Sequence, residues 1–313
     1  MLNGCKTNTP LSVSLSIEKI NEFTGHKAAI YALAHDLVRN EFYSVAGDGW
    51  IVRWPLSAVS GDGILIAKAE NKLFSVAFEP INQLLVSGDM DGNLHWLDPN
   101  EKKILKKSAF HQGSIFDLCF LSPEKLLSVS ADGYVCHWDT YTMMPELSIR
   151  ISMQGLRCMK HDVSTQKIYI GASDNNIYVL DQDTLDIVEI LKNAHKNSIF
   201  SIETINSDRI ISGGRDAHLN IWDRKKFSLL NSFSAHWFTI NKISELPEFS
   251  AFATASRDKT MRIWDSGSLQ LLKSIDVQKG GHINSVNCLL WVPELKFLIS
   301  AGDDRNVIIF RIS

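Results

Sequence analysis

A hydroxyl residue, a His and an Asp stand together five times along this chain: Ser44, His26 and Asp48; Ser128, His111 and Asp132; Ser212, His195 and Asp216; Thr254, His236 and Asp258; Ser300, His282 and Asp304. Those are the side chains of a hydrolase triad, in which Asp orients an imidazole that takes the proton of a nucleophilic hydroxyl. A catalytic set is needed once, and here it recurs in register. The five His are therefore assigned to structure. The other five, His35, His95, His137, His161 and His218, show no metal-ligand spacing, and no phosphate-cradling Gly-x-x-x-x-Gly-Lys loop occurs. No cofactor or metal site is expected.

What positions these sets is a repeat. His195 to Asp265 holds two copies of one pattern, each running from Ala-His through a turn Asp to Ile-Trp-Asp, offset by 42 residues. The turn Asp recurs at Asp48, Asp91, Asp132, Asp174, Asp216, Asp258 and Asp304, in steps of 43, 41, 42, 42, 42 and 46. Six residues after each come Trp54, Leu97, Trp138, Leu180, Trp222, Trp264 and Phe310, a position that is never polar. A period of about 40–45 residues with a His opening and a Trp-Asp close is the pattern of a four-stranded propeller blade.

On these motifs the sequence resembles the WD-repeat family of β-propellers. The resemblance implies an all-β fold: one seven-bladed propeller of four-stranded antiparallel blades. It also implies that His, Ser or Thr, Asp and Trp form a hydrogen-bonded chain within a blade. Blades one, three, five and six have all four groups. Blade seven has Phe310 in place of Trp. Blades two and four lose His and Trp together, with Ala69 and Ser152 at the His position.

Residues 1–16 read as a loose leader and 17–313 as the propeller. The last repeat runs only three residues past Phe310 and lacks a fourth strand. Ile17–Phe23 has the spacing to His26 that outer strands have elsewhere, so it should complete blade seven and close the ring, leaving no exposed edge. Blade one should place its strands at Ile30–Ala34, Phe42–Ala46, Ile51–Trp54 and Ile64–Ala67. The long step of 46 should fall in the Val277–Gly281 loop. No helix-period segment is visible.

Net charge is −3, which gives no global pull toward nucleic acid or anionic lipid. No run of 18 apolar residues suggests a membrane span. The five cysteines are odd in number and scattered, with no Cys-x-x-Cys pair, so an intracellular, cytoplasmic setting is the natural expectation.

The resemblance points to the face around the central channel for binding. The position five after the His gives Tyr31, Phe74, Phe116, Arg157, Phe200, Asn241 and Asn287. In blades two and four the strand pattern sets the register. The position before the turn Asp contributes Arg215 and Arg257, with Asp303 the only acid. Aromatic and Arg side chains are enriched at interface hot spots. Trp237 and Phe238, after His236, are further candidates, set against ordinary packing on a neighbouring blade.

Three functions compete at this point. The first is a non-catalytic platform that holds a peptide or partner protein, a single propeller within a larger complex. The second is an enzyme or binder for a small anionic ligand, using three convergent Arg. The third is single-stranded nucleic-acid binding through Arg and aromatics, which the net charge and the lack of a basic stripe oppose.

Overall fold

Each of the seven turn Asp residues closes a hairpin between the second and third strands of its own sheet. The structure is a computed structural model describing residues 15–57 and 63–313. Within them, 28 strands form seven antiparallel sheets of four. Blade one is Ile30–Asp36, Glu41–Ala46, Trp50–Pro55 and Ile64–Lys68, within two residues of the expected bounds. The described residues contain no α-helix, only three short 3-10 turns. One of them, Val277–Lys279, holds the extra residues of the long step and is capped by the Asp276 carboxylate.

Residues 1–14, most of the expected leader, lie outside the described residues. Leu15 is buried against Phe310 and Ile312, and the backbones of Ser16 and Ser313 exchange bonds of 2.6 and 3.1 Å.

The sheets stack face to face around the ring, so the second strand of a blade is buried on both sides. Leu84–Asp89, Ala251–Ser256 and Phe297–Gly302 are buried at every residue, and each reads as a nearly unbroken run of apolar and small side chains. The outer strands face solvent, as in Leu229–Ser234. The apolar core is divided into seven clusters, one for each pair of adjacent blades.

One cluster joins blade seven to blade one and makes the ring continuous. It depends on Ile17–Phe23, which pairs antiparallel with Val307–Ile312 as the spacing predicts. Phe23 sits in that cluster, with ring centroids 5.3 Å from Trp54 and 6.3 Å from Phe42.

The repeated Ser–His–Asp sets are buried inside the blades. In blade five His195 Nδ1 lies 3.0 Å from Asp216, His195 Nε2 2.8 Å from Ser212 Oγ, and Trp222 Nε1 3.0 Å from the same hydroxyl. Blades one, three and six repeat this. Trp can only donate and carboxylate only accept, and one arrangement of donors satisfies every group between them. The indole N–H donates to the hydroxyl, the hydroxyl to Nε2, and Nδ1–H to the carboxylate. The imidazole thus has both ring nitrogens engaged, and its hydroxyl is already committed. In blade seven the chain is one member shorter, with Ser300 and His282 2.9 Å apart.

Blades two and four replace the network instead of lacking one. In blade four the Ser152 hydroxyl and the Tyr178 phenol each donate to Asp174 at 2.6 Å. In blade two Asp89, two residues before the expected Asp91, is the buried acid. It binds His95 at 3.0 Å and accepts from the backbone of Asp91 and Asn93. His95, which shows no ligand spacing in the sequence, is thus half of a buried pair.

Burial pushes the pKa values of His26 and His236 below 6.5 despite their Asp partners. Burial works against the Asp132 and Asp216 carboxylates, but bonds from His111 and His195 and from backbone amides prevail and hold both at about 2. Depressed carboxylates stabilise the fold above their unfolded value of 3.8 and lose that contribution as pH falls toward 2.

Two outcomes are expected. Phe23→Ala lowers the unfolding free energy by about 3–5 kcal/mol in urea titration, and deleting the chain through Phe23 leaves an aggregating protein with an open edge. Equal stability of the Phe23 variant and the parent would contradict the closure. Asp216→Asn removes about 2 kcal/mol of the stability lost between pH 4 and pH 2. Unfolding followed by intrinsic fluorescence across that range reads the flattened acid limb.

Candidate functional site at the channel mouth

The innermost strand of every blade carries a one-residue β-bulge near the same end. In blade one Ile30 pairs with Ala46 and Ala32 with Val45, which leaves Tyr31 unpaired. The same skip falls at Phe74, Phe116, Arg157, Phe200, Asn241 and Asn287. These are the seven residues mapped from sequence. A bulge re-aims its side chain out of the strand's alternation, and here it turns seven side chains toward the channel.

The register is uniform, including in the two degenerate blades. The backbone N–H of the residue before each turn Asp donates to the carbonyl two residues before the bulge. Met90 to Lys72 is 2.9 Å and Ser173 to Gly155 2.8 Å, matching Arg215 to Ser198 at 2.9 Å. The turn itself needs a left-handed residue in all seven blades. Gly49, Gly92 and Gly133 supply it at φ near 75–88°, and Asn175, Ala217, Lys259 and Arg305 adopt it at 62–72°.

All seven bulged residues line one cavity of about 310 Å³. Tyr31, Phe74 and Phe116 form an aromatic arc with successive centroids 4.9 and 5.6 Å apart. The Arg157 guanidinium continues it, 4.4 Å from the Phe116 ring and 5.8 Å from Phe200. Its Nε donates to Ser173 Oγ at 2.7 Å. Burial, and then the nearby Arg215 charge, lower the Arg157 pKa.

The far side is polar. Asn241 donates to the Val286 carbonyl at 2.8 Å, and Asn287 to the Ile30 carbonyl at 3.0 Å and to Asp303 at 2.7 Å. Burial, with Asp303 beside it, raises the Tyr31 phenol pKa.

Arg215 and Arg257 are exposed and do not line the cavity. The three Arg therefore do not converge as one clamp; only Arg157 enters. Trp237 and Phe238 are not packed on a neighbouring blade and stand 83% and 60% exposed.

The mapping missed the residues that follow the bulges. Asp117, Cys158, Lys242 and Cys288 also line the cavity. Charged residues inside the apolar strand stretches Ile115-Phe116-Asp117-Leu118 and Ile240-Asn241-Lys242-Ile243 were the available signal. The Asp117 carboxylate accepts from Leu118 and Met159 amides at 3.0 and 2.9 Å. Burial raises its pKa, with Lys242 the leading opposing influence. Lys242 is raised in turn: burial works against its charge, and Asp117 and Glu203 outweigh that. Burial also pushes the Cys158 and Cys288 thiols up to about 12, so neither is an activated nucleophile.

The profile of the family described as WD domain, G-beta repeat matches residues 102–139, 188–223, 227–265 and 272–311. With seven four-stranded blades and the Trp–Ser–His–Asp chain in place, this decides the family. The chain is a WD-repeat β-propeller.

A serine-threonine kinase receptor-associated protein from Bos taurus is 24% identical over 85% of this chain and 75% of its own length. Protein tipD of Dictyostelium discoideum is 22% identical over 91% of this chain, which spans about half (47%) of that relative. The solved WD40 β-propeller domain of Doa1 superposes with a TM-score of 0.82 over 94% of this chain and 96% of that one, at 18% identity, a likeness of fold. The family profile passes over blades two and four, the two with replaced networks, and also blade one, which has the full set.

Proposed function

We propose that the chain is a non-catalytic interaction platform that holds a peptide or a partner protein at the channel mouth. The observation behind this reading is the bulged ring. Seven innermost strands break their ladders at one level to present Tyr31, Phe74, Phe116, Arg157, Phe200, Asn241 and Asn287 to a single cavity. Bulges of this kind cost ladder hydrogen bonds and re-aim the side chain they carry. Aromatic rings and a stacked Arg supply contact area at low conformational cost. Arg215, Arg257, Trp237 and Phe238, exposed on the surrounding loops, widen the surface toward blades five and six.

An enzyme is the weaker reading. Each imidazole of the Ser–His–Asp sets is buried between its own hydroxyl and carboxylate. The cavity's acid, Asp117, is tied to two backbone amides, and its thiols are unactivated.

Phe116→Ala, Phe200→Ala and Arg215→Ala should each weaken capture of a partner isolated by pull-down, at least one of them by about 2 kcal/mol in calorimetry. Lys226→Ala, exposed in the turn after His218–Asp223 at the opposite end of the strands, should bind as the parent does. Unchanged affinity in all three variants, with a defect in Lys226→Ala, would move the partner off the channel mouth.

A further inference from the structure

We propose that the occupant of the channel mouth is an acidic peptide. One Asp or Glu carboxylate would seat on the Arg157 guanidinium, and an adjacent apolar side chain would lie on the Tyr31–Phe74–Phe116 arc. This rests on the channel-mouth reading and names its ligand chemistry.

Arg157 is built for this before anything binds. Its plane is held against Phe116 and its Nε by Ser173. Its two terminal nitrogens have no hydrogen-bond partner among the described residues, although the side chain lines the cavity. A guanidinium presents paired N–H groups that match the two oxygens of a carboxylate, and here the ordering cost of a long side chain is met in advance. The second cation is also free. Lys242 lines the same cavity with no ion pair or hydrogen bond among the described residues; the acids acting on it are Asp117, in the cavity wall, and Glu203, outside it.

The charge count selects the ligand. Arg157 and Lys242 against Asp117 leave the cavity wall at +1, which one carboxylate neutralises. A phosphate dianion would leave an excess negative charge in a half-closed site. The mouth is also lopsided. Asp303 lies beside Tyr31 on the blade seven and one side, and Arg215 lies near Arg157 on the other. An anion is thereby steered to the Arg157 side and the apolar neighbour to the aromatic side. At about 310 Å³ the cavity is at the small end for ligand pockets, room for one or two side chains.

The test is selection of a random dodecapeptide phage library on the full chain, followed by fluorescence polarisation with the enriched peptides as synthetic probes. The enriched set should share an Asp or Glu within two positions of an apolar residue. Changing that acid to its amide, or Arg157 to Gln, should weaken binding at least tenfold. Arg157→Lys should recover only part, because it keeps the charge and loses the fork. Melting temperatures of the Arg157 variants near the parent's keep the comparison fair.

Peptides that lose binding to Phe74→Ala but ignore both the amide change and Arg157→Gln would overturn the carboxylate and leave the channel mouth standing. Peptides indifferent to Phe74→Ala and Arg157→Gln alike would overturn both. No enrichment at all also counts against both. A phosphoserine probe that binds more than tenfold tighter than its Glu counterpart would replace the carboxylate with a phosphopeptide.

Discussion

The bond between a buried imidazole and the carboxylate of a hairpin turn is the interaction on which the channel mouth depends. Asp216 receives His195 Nδ1–H, the Lys196 amide at 2.9 Å and the His218 amide at 3.2 Å. One carboxylate thus ties the loop entering the blade to the turn inside it. Five residues past that His, the strand bulges. If the loop drifted relative to the turn, the bulged side chain would miss its level in the ring. Each blade is short and its sheet is marginal alone. The repeated clamp lets seven separate sheets agree on where a common ring lies.

The blades that depart from the pattern show what the clamp requires. Blade four has no imidazole at that position, yet Asp174 still receives a hydroxyl from the entering loop, through Ser152, and gains a second from Tyr178. Blade two moves its buried acid to Asp89 and pairs it with His95 in the third strand, while Asn71 of the entering loop reaches Asp91. An unpaired buried carboxylate is costly, so the acid and its donors change together. Blade seven can lose the Trp because the indole stands at the donor end of the chain. Removing it strands no acceptor that must be filled, and Phe310 keeps the volume within the cluster around Leu298 and Ile312.

The repeat was legible because it is periodic: seven Asp residues in near-constant steps locate the blades, and the spacing of Ile20 and Phe23 to His26 locates the closing strand. The ring residues were legible because the family resemblance named the repeat position and the register carried it to each blade. Their neighbours were not. Strict alternation sends Asp117 and Lys242 to the opposite face from Phe116 and Asn241, and only the bulge brings both members of each pair to the cavity. Nothing local in the sequence marks a bulge whose residue is Phe in one blade, Arg in another and Asn in a third. The His95–Asp89 pair was hidden for a related reason, since the two meet only once the second and third strands pair, with Ser87 opposite His95 and Asp89 two residues further along. The three Arg looked convergent because two different repeat positions were assigned to one face. Arg157 comes from the bulge and points into the channel, whereas Arg215 and Arg257 come from the hairpin turns and point to solvent.

The ring is not uniform in what its side chains are free to do. Asn287 ties blade seven to the Ile30 carbonyl of blade one, and Asn241 ties blade six to blade seven. Those amides cross the stretch of ring that includes the joint where the two ends of the described chain meet, and they reinforce it. The positions from blade two to blade five carry Phe74, Phe116, Arg157 and Phe200, which meet one another only through ring faces. Contacts between rings are softer than a committed amide bond, so the three Phe side chains can shift at little cost, while Arg157 stays held by Ser173. The same seven-fold geometry thus divides into an arc that holds the disc closed and an arc whose side chains carry fewer fixed bonds. Within the nine residues first singled out, the second arc is where recognition should concentrate.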